Sequence, residues 1–117
     1  MNKREVGYEK EEIAEQFLKS KGLKILCKNY RIRIGEIDII ALDGDTYVFI
    51  EVKYRKTASK GLPEEAVNYK KMKTICKVSN HYRMKNSLPE ITPVRYDVVA
   101  IEGDEIRWYP NAFDYCP

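Results

Sequence analysis

Histidine is almost missing from this 117-residue chain, where His81 is the only one. That removes metal centres built on imidazole and nucleophilic triads that need a histidine base. The three cysteines, Cys27, Cys76 and Cys116, are odd in number and contain no Cys-x-x-Cys pair, which argues against a disulfide framework and a zinc knuckle. No apolar run approaches the roughly 18 residues of a membrane-spanning helix, and the charged opening lacks the apolar segment of a signal peptide. The expected place is the cytoplasm, with no membrane partner. Charge of one sign is also scarce: 21 Lys plus Arg against 18 Asp plus Glu leave +3, too little by itself to predict a polyanionic partner. No repeat, linker or low-complexity stretch divides the sequence, so 1–117 reads as a single domain that can bury a core without staples.

What the chain does have is a dense β-rich stretch at 35–55, in which two alternating runs flank Asp43-Gly44. That dipeptide favours a tight hairpin turn, because both residues tolerate φ > 0. Taking Asp43 and Gly44 as the turn residues sets Leu42 opposite Asp45, Asp38 opposite Phe49 and Glu36 opposite Glu51. Ile37, Ile39, Ala41, Val48, Ile50 and Val52 then share an apolar face. The other face carries Glu36, Asp38, Glu51, Lys53 and Arg55 at its far end, with Ile40, Leu42, Tyr47 and Phe49 nearer the turn. Glu51 and Lys53 lie roughly 6.6 Å apart along one strand, and Asp38 is the diagonal neighbour of Glu51 at roughly 7–8 Å.

Carboxylates so spaced can close on one hard cation. Mg²⁺ takes oxygen ligands, keeps several waters and commonly binds through one or two carboxylates plus substrate phosphate. Asp38, Glu51 and the Val52 carbonyl form a suitable set, with Mn²⁺ as an experimental surrogate. Lys53 beside them is placed to hold an attacking oxygen or to offset phosphate charge.

Asp38 followed by Glu51-x-Lys53 on the next strand resembles the PD-(D/E)xK signature of restriction-endonuclease-like nucleases, with Ile37-Asp38 in place of Pro-Asp. More of the chain is similar to the UPF0102 (YraN-like) family assigned to that fold. The match comprises Glu11-x-x-Ala14, Asn29-x-Arg31, Gly35-Glu36-Ile37-Asp38, Val48 to Lys53 with Arg55, Gly61-x-Pro63-x-x-Ala66-Val67, Lys71, Tyr82, and Arg95 to Val99. Single pieces are common, whereas the ordered set is specific. The resemblance implies an α/β fold with a restriction-endonuclease-like core, a mixed central β-sheet flanked by α-helices. It also implies Asp38, Glu51, Lys53 and Glu11 as catalytic residues, with Asp38, Glu51 and Glu11 as metal ligands. Arg31, Arg55 and Lys71 are the implied nucleic-acid contacts.

Around this stretch the elements read α-β-β-β-α-β-β, which by itself gives an α/β domain. Residues 7–21 form a helix with the stripe Ile13, Ala14, Phe17 and Leu18 and a stop at Gly22. Glu11 lies about 90° from the stripe centre and Glu15 about 130°. Glu11 is thus either a ligand at the edge of the packed face or a solvated acid near a helix N-terminus. Lys10, where the family usually has a small residue, falls near the stripe centre and is expected to displace the helix entry. Leu23–Tyr30 is a strand, with a turn role for Asn29 ahead of a phosphate contact, and Glu36 is Arg31's partner ahead of a further ligand. Thr57–Leu62 is a loop. Pro63 starts a helix with Glu64 and Glu65 in its first turn and Ala66, Val67, Tyr69, Met72, Ile75, Cys76, Ser79 and Tyr82 inward. Val94–Ile101 is a strand in which Arg95 and Asp97 form a pair, and Ile106–Tyr109 is an edge strand that ends before Pro110.

Lys53, Arg55, Lys56 and Lys60, then Lys70, Lys71, Lys73 and Lys77, either rim the acidic pocket, as phosphate attraction would require, or form a solvated face. The expected function is Mg²⁺-dependent hydrolysis of nucleic acid, DNA rather than RNA. Branched DNA is suggested by likeness to Holliday-junction resolvases of the same fold. The alternative is a nucleic-acid-binding module without turnover. A third reading makes Trp108, Tyr109, Phe113 and Tyr115 a protein interface, against the simpler packing of the tail on its own sheet. The expected state is a monomer or weak homodimer.

Overall fold

Seven elements organise the residues that the computed structural model describes, 3–55 and 68–117, with side chains from residue 9 onward. They run α1 (Lys3–Ser20), β1 (Lys24–Ile32), β2 (Gly35–Asp43), β3 (Thr46–Arg55), α2 (Tyr69–Lys85), β4 (Val94–Glu102) and β5 (Glu105–Phe113). The strands form one sheet in the order β1-β2-β3-β4-β5, antiparallel at every step except the parallel pair β3–β4. A parallel step needs a long crossover, and α2 lies within it. Helix α1 packs Ala14 and Leu18 on Ile39, Ala41, Val48 and Ile50, while α2 packs Ile75, Val78 and Tyr82 on Ile40, Phe49 and Val98. Burial on both faces explains why β2 and β3 read as nearly unbroken apolar runs. This is the expected α/β arrangement of a mixed sheet flanked by helices, and it is compatible with a restriction-endonuclease-like core. Among the described residues no helix is long and apolar enough to cross a membrane. The expectations for Lys56, Lys60, the Thr57–Leu62 loop, the Pro63 helix start, Glu64, Glu65, Ala66 and Val67 lie outside the described residues.

The helix ends follow from local chemistry. Gly22, at φ 94°, closes α1: its N–H donates to the Lys19 carbonyl and the Leu23 N–H to the Leu18 carbonyl, the paired bonds of a Schellman stop. Leu23 and Leu18 are buried in the same core. Lys10 does not displace the helix entry. The helix begins at Lys3, and the Lys10 ammonium sits 4.7 Å from the Tyr54 ring centroid, where its charge is accommodated. At the other helix, the Asn68 side chain accepts from the Lys71 N–H and caps α2.

Several expectations are corrected. The β2–β3 turn residues are Gly44 and Asp45, with Asp43 paired to Thr46, because only Gly44 takes a positive φ (62°) and a two-residue turn of this kind wants glycine first. The register therefore moves by two residues, with Ile39 opposite Ile50 and Ile40 opposite Phe49. A shift of two preserves the faces, yet Ile37 belongs to the α2-side core rather than sharing a face with Ile39. Asn29 is not in a turn but inside β1, at φ 54°. Tyr69, expected inward, is 63% exposed, whereas Val78 is fully buried. Strand β5 runs through Pro110 to Phe113, since a register shift opposite Asp97 accommodates the proline and leaves Asn111 at φ 54°.

That irregularity is stitched by Asp97, which has no exposed surface. Its carboxylate accepts two bonds from Arg95 (2.9 and 3.1 Å), one from the Trp108 indole (2.9 Å) and one from the Asn111 N–H (2.8 Å). Arg95 also donates to Asp43 at 2.9 Å. The expected Arg95–Asp97 pair is thus structural, and it ties β4 to both β5 and the β2–β3 turn. The C-terminal aromatics fold back: Phe113 stacks on Tyr96 and Trp108 meets Phe17 edge to face.

Helix α2 approaches the sheet closely at Gly35. A Cβ there would stand 2.5 Å from Thr74 Cγ2, so the first residue of β2 has to lack a side chain for α2 to sit where it does. Overpacking of this kind costs about 1–3 kcal/mol. Gly35→Ala should lose that much in chemical denaturation, and Gly35→Ala/Thr74→Ser, which removes Cγ2, should regain part of it. An unshifted midpoint for Gly35→Ala would show that the close approach carries no weight.

Candidate active site

The acids gather where the sheet loses its alternation. Along β1, Lys28 reaches Glu15 of α1, while Tyr30, two residues on, packs against Tyr82 of α2. Along β2, Ile39 lies in the α1-side core and Ile37 in the α2-side core. Residues two apart on a regular strand share a face, so both strands change face between these positions, at Asn29 and Asp38. The two breaks are at one level, because Lys28 pairs with Ile39 and Tyr30 with Ile37. On the other side of β2, the pairing with β3 reaches only as far as Ile39–Ile50. Beyond it the Asp38 carboxylate occupies the gap, with Oδ2 accepting from the Val52 N–H at 2.8 Å.

Glu51 precedes Val52 on β3, and one further step of the observed register sets it directly opposite Asp38 rather than diagonal to it. Glu36, expected opposite Glu51, is instead the cross-strand neighbour of Arg31. Asp38 and Glu51 are 8% and 7% exposed. Burial, then the Glu51 charge and a hydrogen bond between the two carboxyls, push Asp38 up to about 9, against the opposing pull of the Val52 N–H. Two buried carboxyls so placed disfavour ionising together. The Lys71 ammonium stands 3.6 Å from Glu51 Oε2.

Glu11 arrives from α1. Its pKa is raised by burial and by the charges of Glu36 and Glu51, and a hydrogen bond from the Asn29 side chain opposes the rise. Glu11 Oε1 is buried with no hydrogen-bond partner. Glu15, one turn along the same helix, contrasts with it: Lys28 at 2.8 Å and Lys19 at 3.0 Å neutralise it, and its pKa is lowered by those bonds. Of these two acids, one turn apart on α1, Glu15 is satisfied and Glu11 is left with an unpartnered oxygen, and Glu11 is the one near the Asp38–Glu51 gap.

The remaining candidates fall around this centre. Lys53 is half-buried on β3, two residues from Glu51 and so on its face. Arg55 ends β3 beside Glu102. Arg31 is exposed next to Glu36, and with Lys71 it lines a cleft of about 240 Å³ behind the β1–β2 turn. The structure thus brings together Asp38, Glu51, Glu11 and Lys71, with Lys53 alongside. It sets Arg31 and Arg55 further out. Sequence reasoning missed Asn29 as the residue that steers Glu11; its signal was the tolerance of asparagine for left-handed backbone in a run otherwise suited to a strand.

Among the described residues no group of three or more His, Cys, Asp or Glu side chains is gathered tightly enough to hold a metal ion by itself. The donor set suits a hard cation that binds through two carboxylates and completes its shell with water and substrate, as Mg²⁺ does. A cation would relieve what the residues leave unrelieved: two adjoining carboxyls in a buried gap that disfavours their ionising together, and an unpartnered Glu11 oxygen.

Comparison with known proteins bears on the chain as a whole. The family described as uncharacterised protein family UPF0102 matches over residues 10–101. A UPF0102 protein of Lachnoclostridium phytofermentans is 47% identical over 114 residues, covering 97% of each chain. One from Colwellia psychrerythraea is 44% identical, covering 92% of this chain and 87% of its own. Another, from Legionella pneumophila, is 38% identical over 94% of this chain and 95% of its own.

The raised Asp38 carries a sign that can be measured. A carboxyl that ordinarily titrates near 3.8 and is pushed up to about 9 by the fold favours its neutral form in the folded state. Its stabilising contribution is complete below the unfolded value and is lost as pH rises towards the folded one. Asn fits the same position, with a carbonyl for the Val52 N–H and an amide for Glu51. Asp38→Asn should therefore raise the unfolding temperature of the metal-free protein at about pH 8 and flatten its decline between about pH 4 and 9. Identical pH profiles for the two proteins would refute the raised Asp38.

Proposed function

The chain belongs to the uncharacterised protein family UPF0102, and from the site it carries we propose that it is a Mg²⁺-dependent nuclease that hydrolyses DNA phosphodiester bonds. The observation that carries the reading is the buried Asp38–Glu51 pair, two neighbouring carboxyls answered by one backbone N–H and one long lysine contact. A fold that needed only stability would neutralise them, as it neutralises Glu15 and Asp97. Buried acids held short of their counter-charge mark sites where a charge is to be bound.

Asp38 and Glu51 would hold the cation, with the Val52 carbonyl on the residue whose N–H already fixes Asp38. Bound there, Mg²⁺ lowers the pKa of a coordinated water and offsets charge on the phosphoryl oxygens. Lys53, on the face of Glu51, orients the attacking oxygen and stabilises charge that grows on the phosphate. Glu11 is the accessory acid, steered by Asn29, and serves as a further ligand through its own or a water's oxygen. Lys71 approaches Glu51 at 3.6 Å, longer than the 2.8–3.0 Å pairs of Glu15, so its ammonium can be shared with a substrate phosphate. Arg31 and Arg55 extend the cationic contacts to either side. Branched DNA as the preferred substrate rests on the likeness to resolvases alone.

Isothermal titration of Mg²⁺ or Mn²⁺ into the wild type, Asp38→Ala and Glu51→Ala should show binding that both substitutions abolish. Cleavage of duplex or branched DNA should fall by about 10²-fold or more in either variant and in Lys53→Met, the scale lost with one charge-stabilising group. Salt-dependent DNA binding that survives Asp38→Ala, without metal binding or cleavage in the wild type, would replace this reading by a binding module without turnover.

A further inference from the structure

The β1–β2 turn is built in a way that neither the core nor the acidic centre requires. Ile32 pairs with Gly35, so Arg33 and Ile34 are the two residues at the tip. Neither serves a special backbone shape, since among the described residues the positive φ values belong elsewhere. Tight turns ordinarily carry Gly, Asn, Asp or Pro. Here the tip instead presents a β-branched hydrocarbon, Ile34, 55% exposed, directly after the exposed Arg33 and three residues from the exposed Arg31. Among the described residues neither arginine has an ion-pair partner.

The tip is continuous with the acidic centre. The cleft of about 240 Å³ behind it is lined by Arg31, Arg33, Glu36 and Lys71, and the Lys71 ammonium continues to Glu51. Gly35 and its contact with Thr74 seat α2 on the base of the turn, which makes the tip a supported projection. From Ile34 to Asp38 the chain covers roughly 13 Å, about four base-pair rises of duplex DNA.

The geometry points to the β1–β2 turn as a wedge for double-stranded DNA, with Ile34 entering between two base pairs and Arg31 and Arg33 on the flanking phosphates. Apolar side chains flanked by cations open base steps in this way, at a cost set by how strongly the step is stacked. The charge of the surface favours a polyanion, and the apolar tip favours one whose interior can be opened. It follows that the preferred duplex has a weakly stacked step, such as a mismatch, about four base pairs from the bond that is cut. This substrate class rests on the nuclease reading above, whereas the wedge itself does not need turnover.

The test uses the full chain with Ca²⁺ in place of Mg²⁺ and a duplex carrying 2-aminopurine beside a single mismatch, with a matched duplex as control. Binding of the wild type should raise the 2-aminopurine fluorescence. Ile34→Ser, a solvent-exposed change that should leave the unfolding temperature unaltered, should lose that rise and bind the mismatched duplex about five- to tenfold more weakly, while its matched-duplex affinity stays within about twofold. Arg33→Ala should weaken both duplexes alike. Wild-type binding without a fluorescence rise, or a rise kept by Ile34→Ser, would overturn the wedge. Metal binding at Asp38 and Glu51 without duplex binding would overturn the wedge and leave the metal site standing. Duplex binding with the rise, but no metal binding, would support the wedge and remove the nuclease reading.

Discussion

Two neighbouring buried carboxyls set the terms for this molecule. Side by side in a gap of the sheet, Asp38 and Glu51 cannot both ionise at little cost, because burial penalises each charge and each charge penalises the other. The gap exists because β1 and β2 change face together at Asn29 and Asp38, so the regular pairing of β2 with β3 stops one residue short of the acids. A regular ladder there would have filled the space with backbone bonds. Instead, one side-chain oxygen of Asp38 takes the Val52 N–H, and the remaining acid oxygens are left to find other partners.

The two helices bring opposite things to that gap. Helix α1, locked by its Gly22 stop and by Leu18 and Leu23 in the core, delivers Glu11, an acid eased by the Asn29 hydrogen bond and, less, by the Lys28 charge. Helix α2, seated on Gly35 through Thr74, delivers Lys71, the one cation in direct contact with the pair among the described residues. Two other buried acids are treated differently. Asp97 accepts four hydrogen bonds and Glu15 two lysines, and both act as fasteners between elements. Acids treated so differently within one small fold separate structure from chemistry without reference to any relative.

Much of this was legible beforehand, and the errors have specific causes. The element order, the Gly22 stop and the grouping of Asp38, Glu51 and Lys53 follow from periodicity and residue type. The hairpin register came out two residues off because Asp43-Gly44 and Gly44-Asp45 are both acceptable turns, and only the sheet decides which side of Gly44 closes it. A slip of two spares the faces, so the acids still met. Ile37 was misplaced for a different reason: a change of face at Asp38 is invisible to any rule of strict alternation. Pro110 read as a stop because the register shift that admits it depends on Asp97, far off in sequence.

By itself, the sequence determined which residues are apolar at strand spacing, where glycine must end a helix or open a turn, and which acids and cations lie close along the chain. These are local properties, set by backbone sterics and by side chains within a few residues of one another. Only the tertiary structure decided that Glu11, separated from Asp38 by a helix and a strand, faces the same gap, and that Lys71 rather than Arg31 reaches Glu51. It alone decided which acids are neutralised and which are left short. Burial and the field of neighbouring charges arise from packing between distant elements, and no local pattern contains them.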